Sequence, residues 1–237
     1  MDIGKAFTFF TQDPEWIRKF LIGGLIVLIS FLLLGIPIVL LIGYQLAQTR
    51  LVMEGETERL PVWDNMGKLF MDGLNLAIAL LVYSSPVLLL LCIGFFATFL
   101  PALGAESDEI AGALAGISVT IWIVLGCLIL LLSLALGFIT PALNVQYVRY
   151  GTLGSLFRFG EVLQLTRANL GDIVLAWLAL LVANLVLQLV ISISVITICG
   201  PFILGLVGPI WFLASTGHLY GQIATKNDKG MVAKPAF

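Results

Sequence analysis

A lone imidazole, three thiols and a scatter of neutral polar groups are what this sequence offers for chemistry within its apolar stretches. His218 stands two residues before Tyr220, with no second histidine and no carboxylate close to it in sequence. It lacks the partners of a metal centre or an acid–base pair and reads as a packing residue. Cys92, Cys127 and Cys199 fall in apolar runs at spacings that fit no zinc or redox motif, so they read as small buried hydrophobes. Asn184 and Gln188 are one helical turn apart with Ser192 extending the stripe, and Tyr83-Ser84 adds another neutral polar pair. With His218, these groups would serve either as hydrogen bonds between helices or as the lining of a path for a neutral solute. No nucleophile–base pair, phosphate-binding loop or metal-ligand spacing occurs. The expectation is a protein that is not an enzyme, with no catalytic residues, no metal and no cofactor.

The elements that carry these groups explain their sparseness. At 60% hydrophobic, 11% charged and a mean hydropathy of +1.09, the chain exceeds the roughly half-apolar share of ordinary soluble domains. Several runs pass eighteen apolar residues, and a hydrocarbon core of roughly 30 Å needs about 20 residues of helix. The fold class expected is all-α, a polytopic transmembrane helical bundle. A net charge of -2 with no basic cluster argues against nucleic acid as a partner. The partners expected are the lipid bilayer, and other membrane protein subunits or a second copy of the chain. Asp2, Asp13 and Glu15 precede the first apolar run and no small-x-small site follows, so the first span is expected to stay in the mature protein.

Three half-polar stretches punctuate the apolar runs. The central one, Leu60 to Leu74, reads LPVWDNMGKLFMDGL. Pro61 suits a first helical turn, and Trp63, Met66 and Phe70 recur at i, i+3 and i+7, while Asp64, Asn65 and Lys68 take the other face. This predicts a short helix in the headgroup layer, with Gly73 turning the chain into the membrane. Met1 to Gln12, with Ile3, Phe7 and Phe10 on one stripe and Lys5 opposite, predicts a first such elbow. Asp13-Pro14-Glu15 then opens a helix in which Asp13 caps, Glu15 faces Lys19, and Trp16, Arg18 and Lys19 anchor at the interface. The third elbow is Leu153 to Asn169, with Phe159, Val162, Leu163 and Thr166 on one face and Arg158, Glu161 and Arg167 in water.

Between the elbows the sequence accommodates six spans: Trp16 to Leu34, Pro37 to Met53, Gly73 to Leu100, Ile110 to Val145, Ile173 to Ile198 and Phe202 to Gly221. Bends are expected at Ser84-Ser85-Pro86 and at Pro141, and a turn at Cys199-Gly200-Pro201. The run from Phe20 to Ala47 would be about 42 Å as one helix, so Gly35-Ile36-Pro37 is either a turn or a kink. Charge favours the turn. All twelve Lys and Arg then share the side of both termini, and the opposite side carries Glu106, Asp108 and Glu109. The positive-inside rule puts that basic side in the cytoplasm. The layout expected is one membrane domain, 1–237, of three parallel hairpins, each preceded by an interfacial helix. Its repeat-like units are 1–59, 60–152 and 153–225, with a mobile cytoplasmic tail at 226–237. No charged residue lies deep in any of these spans, which weighs against ion-coupled transport.

Several of these positions form a recognisable series: Gly43-Tyr44, Arg50, Gly55, then Leu60-Pro61-x-Trp63-Asp64-x-x-Gly67-x-Leu69-Phe70-x-x-Gly73-Leu74, with Asp13-Pro14-x-Trp16 and Gly23-Gly24 at the start. The series resembles a prokaryotic family of integral membrane proteins known as domain of unknown function 4013. The resemblance implies a prokaryotic membrane protein and carries no activity, substrate or site. The function expected is a non-enzymatic scaffold, assembly factor or accessory subunit in a prokaryotic cytoplasmic membrane. The alternative is a transporter or channel for a neutral or lipid-like solute.

Overall fold

A computed structural model describes residues 1–104, 106–197 and 199–232, with side chains up to Lys226. Its described regular elements are all helical, and they form two compact units: Met1–Ala79 with Phe138–Phe237, and Leu80–Gly137. Among the described residues, five helices are long and apolar enough to cross a membrane: Met66–Tyr83, Ser85–Gly104, Asp108–Tyr150, Leu170–Ser194 and Cys199–Lys226.

The first unit begins with α1 (Ile3–Thr8), capped by the Asp2 carboxylate, which accepts from the Lys5 amide at 2.9 Å. A 3-10 turn, Phe9–Gln12, leads to α2 (Trp16–Leu32) and then α3 (Ile38–Met53). The interruption between α2 and α3 is a turn. Leu34 and Gly35 have φ of 51° and 84°, and the Gly35 amide reaches back to the Ser30 carbonyl at 2.7 Å, the six-to-one bond that closes a helix end. The two helices then run in opposite senses along α10 (Cys199–Val232). Gly217 and Gly221 of α10 meet Gln48 and Val52 of α3 in parallel order, whereas Leu206 and Ile210 meet Gly24 and Gly23 in reverse.

The central elbow is not a separate helix. Residues 60–65 are non-helical, and α4 (Met66–Tyr83) runs unbroken through Gly73. Asn65 opens it, its side chain accepting from the Lys68 amide at 3.0 Å. Gly73 serves contact, not turning. A Cβ there would overlap the Val39 carbonyl, and one on Gly43 would overlap the Leu69 carbonyl, so α3 and α4 cross backbone to backbone. The third stretch divides into α7 (Leu153–Leu156) and α8 (Phe159–Ala168) before α9 (Leu170–Ser194). On α8, Val162 and Thr166 are buried while Phe159 and Leu163 are exposed, so the predicted apolar face is split.

Helix α10 starts at Cys199, placing the preceding turn at 195–197 rather than at Cys199-Gly200-Pro201. It continues to Val232, so the residues expected as a mobile tail are helical that far; positions 233–237 lie outside the described residues.

The second unit holds α5 (Ser85–Ala97), a 3-10 turn at Leu100–Gly104 and the first part of α6 (Asp108–Tyr150). Gly94 gives room for the Trp122 ring, and the Ser118 hydroxyl donates to the Ala97 carbonyl at 2.8 Å. The most apolar window of α6 is only 6% buried. The unit ends at Gly137, whose carbonyl loses its helical donor because Pro141, four residues on, has no N–H. Cys92, Cys127 and Cys199 are exposed, correcting their reading as buried, because these helices bury little of their surface within the chain.

Candidate functional site

The residue before a proline is pushed into extended backbone, and Asp13 obeys, with φ -78° and ψ 120°. Its carboxylate therefore points inward instead of capping α2. One oxygen accepts from the Glu15 amide at 2.8 Å; the other accepts from Lys19 Nζ at 2.7 Å and from the Leu60 amide at 2.8 Å. Lys19 Nζ also donates to the Leu60 carbonyl at 2.8 Å. One ion pair thus grips both backbone polar groups of a single residue, Leu60, which is forty-one residues from Lys19 and forty-seven from Asp13. Both side chains are buried, Asp13 at 2% exposure and Lys19 at 7%. Burial pushes the Asp13 carboxyl up, yet the Lys19 hydrogen bond, the two amide donors and the lysine charge together hold it below the ordinary carboxylate value.

Trp63 completes this clamp. Its indole N–H donates to the Lys19 carbonyl at 3.0 Å, and its ring stacks on Tyr44 at 4.3 Å and 12°. The tryptophan expected in the headgroup layer is instead 6% exposed inside the core, because its polar edge finds a partner there. Lys19, expected to face Glu15 at the interface, is buried against Asp13; Glu15 lies 3.9 Å from Arg18 instead. Of the other elbow residues, Pro61 is buried and Trp16 is half-buried edge-on to Phe20 at 5.7 Å. Phe70 is half-buried and Asp64 exposed.

A cavity of 590 Å³ opens beside the clamp. Arg50, Glu54 and Arg59 line it with Glu15, and Leu51 and Val62 supply apolar wall. Behind Arg50 a second network joins three helices. The Arg50 guanidinium approaches Asp72 at 3.4 and 3.5 Å, Tyr147 donates to Asp72 at 2.8 Å, and Asn75 donates to Tyr147 at 3.0 Å. Asp72 stands in the second turn of α4, so the span expected to begin at Gly73 shares its helix with this carboxylate. It was assigned to the wet elbow because Gly73 was read as a turn. The three-residue spacing of Asp72 and Asn75, which puts both on one helical face, was the available signal.

The family model described as a protein of unknown function, DUF4013, matches residues 25–196, from within α2 through α9. The chain belongs to this family. No curated protein and no solved structure matches it. The DUF4013 match takes in Tyr44, Arg50, Leu60, Trp63 and Asp72 and begins after Asp13 and Lys19, so one half of the clamp lies inside it and the other before it.

Elsewhere in this DUF4013 chain, His218 is fully buried, 4.5 Å from the Phe9 ring. Its Nε2 lies 3.1 Å from the Thr57 carbonyl and its Nδ1 3.0 Å from the Gln222 amide nitrogen. A carbonyl only accepts, so these partners assign the proton to Nε2 and leave Nδ1 accepting. Gln222 also exchanges two bonds with the Asp2 backbone, at 2.7 and 2.9 Å. Asn184 and Gln188 stand exposed on α9, whereas His218 is buried. Tyr83 and Ser84 are half-buried in the second unit, where Ser84 donates to the Leu81 carbonyl at 3.1 Å. Among the described residues, no group of three His, Cys, Asp or Glu side chains is placed to hold a metal.

Proposed function

We propose that this DUF4013 protein is a non-enzymatic scaffold, assembly factor or accessory subunit of a prokaryotic cytoplasmic membrane. One observation carries the reading: the second unit presents long, almost wholly apolar helices that bury very little within the chain. Helices that pack so sparsely on their own chain are suited to association with other helices through van der Waals contact in lipid. The first unit supports it in another way, since its buried charges and amides are spent on joining elements and not on an open reactive centre. A solute path draws no support from Asn184 and Gln188, which face outward on α9.

The topology that goes with this reading is six spans in three hairpins entered from one leaflet. In it α2 and α3, about 26 and 24 Å long, form a short first hairpin, and α4 with α5 form one bent span. Bonds from Asp2 to Gln222, Lys5 to Glu58 and Lys226 to Asp172 favour a shared basic end. On the positive-inside rule that end is cytoplasmic. Purification from native membrane in mild detergent is expected to retain a stoichiometric membrane-protein partner or a defined homo-oligomer. A lone monodisperse protomer under conditions that preserve other membrane complexes would contradict the reading.

A further inference from the structure

We propose that the cavity beside the Asp13–Lys19 clamp binds the headgroup of a zwitterionic phospholipid carrying a primary amine, of the phosphatidylethanolamine type. At 590 Å³ it has the size of a small-molecule site, about 300–1,000 Å³. Three residues of each charge line it, and the sorting of those charges identifies the ligand. Asp13 and Lys19 neutralise each other at 2.7 Å and are already bonded to Leu60 and Glu15. Two cations and two anions remain for a ligand.

The cations are held loosely. Arg59 lies 3.8 Å from Glu56 and Arg50 lies 3.4 Å from Asp72, whereas a full charge-assisted bond is about 2.7–2.9 Å. Their guanidinium forks keep donors for a phosphate. The anions are looser still: Glu15 has Arg18 at 3.9 Å, and Glu54 makes no ion pair among the described residues. An ammonium group has three N–H donors to give such carboxylates, and a trimethylammonium group has none. An anionic headgroup would satisfy the arginines and be repelled by Glu15 and Glu54. Leu51 and the exposed Val62 extend the wall with apolar surface for the glycerol and first acyl carbons. The cavity sits where α2 begins and α3 ends, the level of the headgroups in the topology proposed above. The inference rests on that membrane placement and not on the scaffold role.

The test is native mass spectrometry of the purified, delipidated full chain, titrated with dioleoyl phosphatidylethanolamine, phosphatidylcholine or phosphatidylglycerol. One saturable phosphatidylethanolamine is expected to bind about tenfold more tightly than either other lipid. Arg59→Gln and Glu54→Gln, both at exposed positions, are each expected to abolish most of that preference, with unfolding midpoints unchanged. Glu54→Lys is expected to turn the preference toward phosphatidylglycerol. Equal binding of the three lipids, tightest binding of phosphatidylglycerol by the native chain, or a preference that survives all three substitutions would overturn the proposal. Soluble glycerophosphoethanolamine is expected to compete weakly; competition at concentrations equal to the lipid would overturn the assignment to a bilayer lipid. A lone protomer from native membrane that keeps the lipid preference would count against the scaffold reading alone.

Discussion

Asp13 and Lys19 show how much one pair of side chains can organise. Removing one partner strands the other charge in a place with almost no water, so Lys19→Met is expected to cost about 3–5 kcal/mol of unfolding free energy. Asp13→Asn combined with Lys19→Met is expected to cost clearly less than Lys19→Met alone, as measured by denaturant unfolding in micelles. A double variant no more stable than the single one would show that the charges are not coupled. The pH dependence follows from the lowered Asp13 carboxyl. Its contribution is fully present above the unfolded carboxylate value of about 3.9 and is lost as pH falls below that toward the folded value. Unfolding followed from pH 7 to pH 3 is therefore expected to lose this component only at the acid end. In Asp13→Asn the component should be missing. The residues of this clamp were visible in sequence, but their pairing was not. Asp13 was read as a cap and Lys19 as a surface anchor because local spacing reports neighbours four residues apart, while the decisive partner, the Leu60 backbone, is distant in the chain.

Glycines decide how the helices approach one another. At Gly43 and Gly73 a methyl group would meet a backbone carbonyl that cannot move without shifting a helix. Gly43→Ala and Gly73→Ala are each expected to destabilise by about 1–3 kcal/mol or more despite alanine's better helix propensity. Gly112→Ala, where a Cβ meets open space, is expected to be neutral or slightly stabilising. Comparable unfolding midpoints for all three would contradict the close crossing of α3 and α4. The existence of most helices was legible in hydrophobic run length, and the end of α2 in Gly35 and Pro37. What run length cannot distinguish is a glycine that bends the chain from one that admits a neighbour. Gly73 was given the first role and has the second, and the central elbow and the misplaced Asp72 both follow from that.

For the molecule as a whole, the bonds of the first unit form a belt at one end. Arg50 connects through Asp72 to Tyr147, the preceding residue, Gln146, donates to Glu161, and Arg158 closes on Glu161 at 3.3 Å. Helices distant in sequence are tied where their polar residues collect, and apolar surface is left over the rest of their length. Such a belt is what the one-sided distribution of Lys and Arg expected from the sequence would require. It also makes the membrane topology directly measurable. Single cysteines placed at Arg59 and Arg158, in a chain with Cys92, Cys127 and Cys199 replaced by alanine, would be exposed to a membrane-impermeant maleimide in sealed vesicles of known orientation. Both positions are expected to react from the cytoplasmic face only; reaction of the two from opposite faces would contradict the account.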